Sequence, residues 1–178
     1  MTESPVSNLY GIYRDVLRDA EGYVIWDRGW RKNLIVTDCR RLLASFMRGE
    51  PGTSGISGLQ VGSGSDTWDT IPQQPGEGDT SLFDSNPHTI SLSASNIDFL
   101  MLDSDSISVT PTNRIQIQLS LGPNVPPWPD ANHPTITLRE FGLIGQINGS
   151  NILINYVIHP AIVKDPVSAL ERTIWLIF

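Results

Sequence analysis

Three strand-like apolar runs close the chain, and they limit what it can fold into. T-I-T-L-R-E-F-G-L-I-G starts at Thr135, N-I-L-I-N-Y-V-I-H-P-A-I-V-K starts at Asn151, and A-L-E-R-T-I-W-L-I-F runs from Ala169 to Phe178. Left in water, Ile-Trp-Leu-Ile-Phe would be an aggregation hazard, and chain ends fray unless something ties them down. The last run is therefore expected inside a sheet or at a subunit contact. The expected fold class is mainly β: a β-sandwich-like single domain, spanning residues 1–178, with one N-terminal helix packed on the sheet.

The patterns upstream fit that class. Tyr10, Ile12, Arg14, Val16 and Arg18 alternate with Tyr13, Asp15 and Leu17, which is strand periodicity. Asp19-Ala20-Glu21-Gly22 carries turn chemistry, and residues 23–26 return as the second strand of a hairpin. Asn33 is placed to cap a helix. Ile35, Cys39, Leu42, Leu43, Phe46 and Met47 follow at helical spacing, and Gly49-Glu50-Pro51 stops it. Further strands are expected over 56–61, within 90–102 and within 106–121, and Asn148-Gly149 marks a hairpin between the first two terminal runs. Residues 1–8 are polar and expected to be flexible. Residues 62–86 and 122–134 are long loops, each with a lone tryptophan, Trp68 and Trp128. They are expected to carry subunit contacts or to be mobile.

Charge and motif content exclude several functions. The net charge is −7, and residues 51–138 hold one basic residue, Arg114, against nine acidic ones. Such a surface repels phosphate, which argues against nucleic-acid binding. The N-terminal arginines, interleaved with acids, read as surface ion pairs. No basic segment precedes an apolar stretch, so no signal peptide is expected, and no apolar run is long enough to insert in a membrane. Cys39 is the single cysteine and reads as a buried, inert thiol. The sequence contains no P-loop, dinucleotide fingerprint, nucleophile elbow or Cys/His metal spacing, so no catalytic residue, metal or cofactor is assigned. His88, His133 and His159 are scattered, and Asp98, Asp103 and Asp105 lack the glycine and closing glutamate of a calcium loop. Glu140, beside Arg139, is expected on the polar side of a strand, with Gly142 where the backbone bends or another chain comes close.

The order of features resembles small phage tail-fibre-like and tail-peripheral structural proteins, including those of phage-like contractile injection particles. The elements that carry the resemblance are Trp26-Asp27-Arg28-Gly29-Trp30-Arg31-Lys32 and the Asn-Leu-Ile segment with its double leucine. They continue with Val61-Gly62-Ser63-Gly64, Asp79-Thr80-Ser81-Leu82, Arg139-Glu140-Phe141-Gly142-Leu143 and the final apolar strands. Phe83-Asp84-Ser85-Asn86 matches only part of the charged pair that the pattern places after Asp-Thr-x-Leu. The resemblance implies a non-enzymatic, oligomeric part of a virion or extracellular tail-like particle, synthesised in the cytoplasm. Its partners would be copies of itself and other tail or baseplate proteins; the apolar terminus and low surface charge lead to the expectation of a trimer, a hexamer or a polymer. Trp68, Trp128, Trp175 and Phe178 are the candidate subunit-contact residues. The alternative is a receptor- or glycan-binding fibre module, with Trp68 and Trp128 stacking on a cell-surface glycan. A small hydrolase is the third reading, for which no nucleophile–base set is visible.

Overall fold

A computed structural model describes residues 9–178; the expectation for residues 1–8 lies outside them. A hairpin of β1 (Tyr10–Arg18) and β2 (Val24–Ile35) leads into α1 (Thr37–Arg48). Then come β3 (Ser54–Gly62), β4 (His88–Ser91), β5 (Ile97–Leu100), β6 (Ile107–Ser108), β7 (Arg114–Leu121), β8 (Thr137–Ile147), β9 (Ser150–Leu153), β10 (Asn155–Val163) and β11 (Ala169–Ile177). Every pairing is antiparallel, in the order β4-β3-β8-β10-β2-β1-β11-β7-β5-β6, with β9 on β8.

The path is joined at its middle by a narrow seam, Asn155↔Ile35 and Tyr156↔Leu34. On either side of that seam the sheet folds back on itself, which gives the expected sandwich-like domain. Alternation sets the inner face: Gly11, Tyr13, Asp15 and Leu17 of β1 pair with Leu176, Ile174, Arg172 and Leu170 of β11. Those β11 residues pair in turn with Ile115, Ile117, Leu119 and Leu121 of β7. The opposite half contributes Leu59, Val61, Leu138, Phe141, Leu143, Val157 and Ile162 to the same core. Tyr13 meets Phe141 edge-on across the sandwich, ring centroids 5.1 Å apart. The C-terminal strand is thus internal, flanked by β1 and β7, and the chain end is tied down as expected: Phe178 N–H donates to the Asn113 carbonyl and Asn113 Nδ2 donates to the Phe178 carbonyl.

Two buried charges lie in that inner row. Arg172 and Asp15 are register partners and form a two-pronged ion pair at 2.8 Å and 2.8 Å. Burial pushes the Asp15 carboxyl up, but the charge and hydrogen bonds of Arg172 outweigh it and hold its pKa below the ordinary value. The guanidinium lies 3.7 Å from the centre of the Phe141 ring, so one arginine links β11 and β1 and packs on β8. Beside it His159 donates from Nδ1 to the Pro160 carbonyl at 2.9 Å. Burial, with the Arg172 charge, pushes the imidazole down to about 3, so it stays neutral.

Three expectations are corrected. Asn33 does not cap the helix: it lies in β2, buried, and accepts at Oδ1 from Asn155 Nδ2 at 2.7 Å, while Asn155 Oδ1 accepts from Leu143 N–H at 2.7 Å. This amide chain ties β2, β10 and β8 where the seam is narrowest, and Gly11 leaves room for it, since a Cβ there would sit 2.8 Å from Asn33 Nδ2. Helix α1 begins four residues later, after Val36. The second hairpin strand is 12 residues long, ending well past residue 26. Its alternation breaks at a bulge opposite Asp15, between the pairs Arg14↔Trp30 and Val16↔Asp27, where Gly29 takes φ 67°. The helix also turns a narrower face inward than its spacing suggests. Cys39 and Leu42 are buried, while Leu43, Phe46 and Met47 are exposed. Burial raises the Cys39 thiol to about 11, so it is inert as expected. Gly49 ends the helix at φ 73°, its N–H donating to Phe46 O.

Among the described residues, no helix is long and apolar enough to cross a membrane. Four of the N-terminal arginines form ion pairs, Arg14 with Asp27, Arg18 with Glu171, Arg41 with Asp38 and Arg48 with Glu50, while Arg28 donates to the Pro160 and Ala161 carbonyls.

The helix packing gives a direct test. Leu42→Ala is expected to destabilise the protein by about 2–5 kcal/mol, and Leu43→Ala by about 1 kcal/mol or less, measured by urea denaturation. The reverse order would show that α1 is rotated from this orientation.

Candidate functional site

Three of the motifs that carry the resemblance, V-G-S-G, D-T-S-L and R-E-F-G-L, come together at one place. Strand β8 is central in its half, with β3 and β10 on its flanks. Its inner face meets the core, and residues 62–86 fold across its outer face. Glu140 therefore does not lie on a polar side: it is 0% exposed. Its carboxylate accepts Phe83 N–H at 2.9 Å, Asp84 N–H at 2.7 Å and the Tyr156 hydroxyl at 2.5 Å. Burial raises the pKa of Glu140 above the ordinary value, with these hydrogen bonds pulling the other way. Val36, Leu82, Leu153 and Tyr156 form a second small core beneath the same segment.

Two glycines make the approach possible. A Cβ on Gly62 would lie 2.5 Å from Glu140 Oε1, and one on Gly142 would lie 2.6 Å from the Asn155 carbonyl and 2.5 Å from Leu153 Cδ1. The close approach expected at Gly142 is thus made by β10 of the same chain. Arg139 completes the anchor, with two bonds to Asp69 at 2.9 Å and 2.8 Å and one to the Ser63 carbonyl at 3.0 Å.

Asp84 then joins the two long loops. It accepts from Ser63 N–H at 2.8 Å and from the Ser63 hydroxyl at 3.1 Å, and meets His133 Nε2 at 2.9 Å. The other ring nitrogen, Nδ1, faces Asp130 at 2.8 Å. Burial pushes the Asp84 carboxyl up, but the N–H groups of Ser63 and Asn86, with His133, outweigh it and lower its pKa. Trp128 stacks on the His133 ring at 3.7 Å and is only 6% exposed. The expectation of an exposed Trp128 is corrected: its loop folds inward to complete this polar cluster. The geometry suits fastening, because each ring nitrogen of His133 is engaged by a carboxylate and the Ser63 hydroxyl points to Asp84, not to the imidazole. Among the described residues no set of three or more His, Cys, Asp or Glu side chains converges to hold a metal ion.

The remaining contact candidates are spread out. Trp68 is half-buried, packed on Phe83 at 5.2 Å and close against Gly64. Trp175 lies on the outer face of the sheet, where its Nε1 donates to Gln116 at 2.8 Å and its ring lies 4.3 Å from Trp30. Phe178 is exposed and borders a small apolar hollow with Leu42, Phe46 and Leu176, at the helix end of the core. Trp30 was not singled out as a contact residue. Its register position relative to Trp175, which the sequence does not display, is what pairs the two.

Comparison with protein-family models, with curated proteins and with solved structures finds no match to this chain. The geometry alone therefore generates the next expectation. Gly142→Ala is expected to cost about 1–3 kcal/mol by forcing β8 and β10 apart. Glu140→Ala, which strands two buried N–H groups and a phenol, should cost at least as much at about 1–3 kcal/mol per abandoned donor. Thermal melts that leave both variants at the wild-type midpoint would contradict the assignment of this cluster as a fastening.

Proposed function

We propose that the chain is a non-enzymatic structural subunit of a phage tail or phage-tail-like contractile particle (fibre base, baseplate periphery, collar or cage-like component) that works by symmetric self-assembly. The observation that carries this reading is the outer face of the sheet. Tyr10 pairs with Ile177, and Ile12 lies between Lys32 and Trp175, with Trp30 packed diagonally against Trp175 at a tilt of 42°. Tyr10 and Trp30 remain 54% and 41% exposed. A rigid sheet presenting a connected aromatic–aliphatic strip has the composition of an interface centre, where tryptophan and tyrosine dominate the energy.

The chemistry-bearing side chains support the same reading. Asp15, Arg172, Glu140, Asp84 and His133 are engaged with their own chain, at distances suited to holding strands and loops. The resemblance supplies the setting, and three of its short motifs, V-G-S-G, D-T-S-L and R-E-F-G-L, are neighbours in the fold. On this reading the protein is made in the cytoplasm and ends in a virion or extracellular particle, with other tail or baseplate proteins as partners.

Sedimentation velocity tests the assembly. The wild type is expected to sediment as a closed oligomer, a trimer or hexamer, or to polymerise at tens of micromolar. Trp30→Glu, at an exposed site, should shift it to monomer with little change in melting temperature. Recovery of the chain by mass spectrometry in purified tail-like particles from its source cells tests the setting. A monomeric wild type together with absence from such particles would overturn the proposal.

A further inference from the structure

Beyond Tyr156 strand β10 parts from β2, and the sandwich opens into a cleft of about 590 Å³. Arg31 and Lys32 of β2 form one wall, residues 158–161 of β10 another, and Trp68, Asp69, Gln73 and Gln74 of the long loop a third. Two smaller hollows of about 290 and 270 Å³ extend it, sharing Gln74 with it and both lined by Tyr156. Together they make an elongated groove, and its main part is within the ~300–1,000 Å³ typical of ligand sites.

The wall chemistry is selective. Arg31, the register partner of inward-facing Tyr13, is exposed and, among the described residues, has no ion-pair partner, whereas Lys32, opposite Ile12, belongs to the outer face with Trp30. Asp69 is neutralised by its bidentate bond to Arg139, which also lowers its pKa. Arg31 thus brings an unpaired cation to the main cleft of a chain of net charge −7, with Asp79 in the adjoining hollow. Trp68 is held by Gly64 and Phe83 while part of it borders the groove, and the Gln73 and Gln74 side chains bring amide donors and acceptors beside it. An aromatic surface, amides and a fixed carboxylate suit a ring bearing hydroxyl groups, and a free guanidinium suits a carboxylate.

We propose that this groove binds a carboxylate-bearing oligosaccharide. Trp68 stacks against a sugar ring, Gln73, Gln74 and Asp69 bond its hydroxyls, and Arg31 takes a carboxylate. This binding does not depend on the assembly reading.

The test is titration of the full chain with trigalacturonate, a sialylated trisaccharide and a hyaluronan tetrasaccharide. Neutral maltotriose, citrate and a short oligothymidylate serve as comparisons. Binding is read by calorimetry and by the Trp68 indole resonance, assigned with Trp68→Phe. At least one acidic saccharide is expected to bind saturably and to move that resonance. Arg31→Gln with Gln74→Ala, at exposed sites that leave the fold intact, should weaken it by about tenfold or more, the loss of roughly 1.4 kcal/mol. No saturable binding by any acidic saccharide at millimolar concentration would overturn the proposal. So would binding unaffected by the double variant, or equal binding of citrate or the oligonucleotide.

Discussion

The ion pair of Asp15 and Arg172 is the constraint on which the fold turns. Both groups sit in the inward row of a sandwich whose other members are leucine, isoleucine and tyrosine, so neither can keep its hydration. Each is tolerable only with the other in place, and that holds only when β1 and β11 pair in this one register. A slip of β1 by one residue would send Asp15 outward, leave Arg172 buried without its partner and turn Tyr10 and Ile12 inward. The guanidinium also lies on Phe141, so the register of one half of the sandwich is coupled to the position of the other. A buried pair is weak as a source of net stability, since desolvation offsets much of the attraction, but losing one member is costly. Its effect here is to make the correct strand pairing strongly preferred over its neighbours.

With the sheet fixed, the loops can be fixed upon it. Glu140 gives β8 a buried anchor for Phe83 and Asp84, and Asp84 reaches His133 in the second loop. Residues 62–86 thus become a roof, bound at Asp69 and again at Phe83 and Asp84, and also touched by α1 where Thr37 N–H donates to the Glu77 carbonyl. The roof over the gap between β2 and β10 creates the groove at Trp68. The opposite face of the β1–β11 region carries the Trp30–Trp175 strip. Two surfaces of different chemistry follow from one arrangement of strands.

Much of the sheet was legible in the sequence. The first and last terminal runs, the first hairpin strand, the Asn148-Gly149 turn with φ of 51° and 74°, and the helix stop at Gly49 all appear where periodicity and turn chemistry put them, while the second terminal run, expected as one strand, divides at Ile154 into β9 and β10. What was hidden depended on contacts between distant residues. Asn33 has the chemistry of a helix cap, and only Asn155, 122 positions away, makes it a strand residue. The bulge at Gly29 interrupts the alternation that would have extended β2. Glu140 and Trp128 looked exposed because a Pro- and Gly-rich loop gives no signal of what it covers. For Glu140 the neighbouring glycines were the clue, since Gly62 and Gly142 mark where backbone or side chain must come close. The groove had still less signature, because its walls come from three separate segments.

A double-mutant cycle between Asp15 and Arg172, followed by urea denaturation, tests the central claim most directly. Asp15→Leu and Arg172→Met remove one charge each and leave an apolar side chain in its place. Each single variant should lose about 3–5 kcal/mol. The double variant should lose no more than either single, a coupling of about 3 kcal/mol or greater. Losses that add to within about 0.5 kcal/mol would contradict the account, because the two charges would then be independent and could not set the register of the sheet.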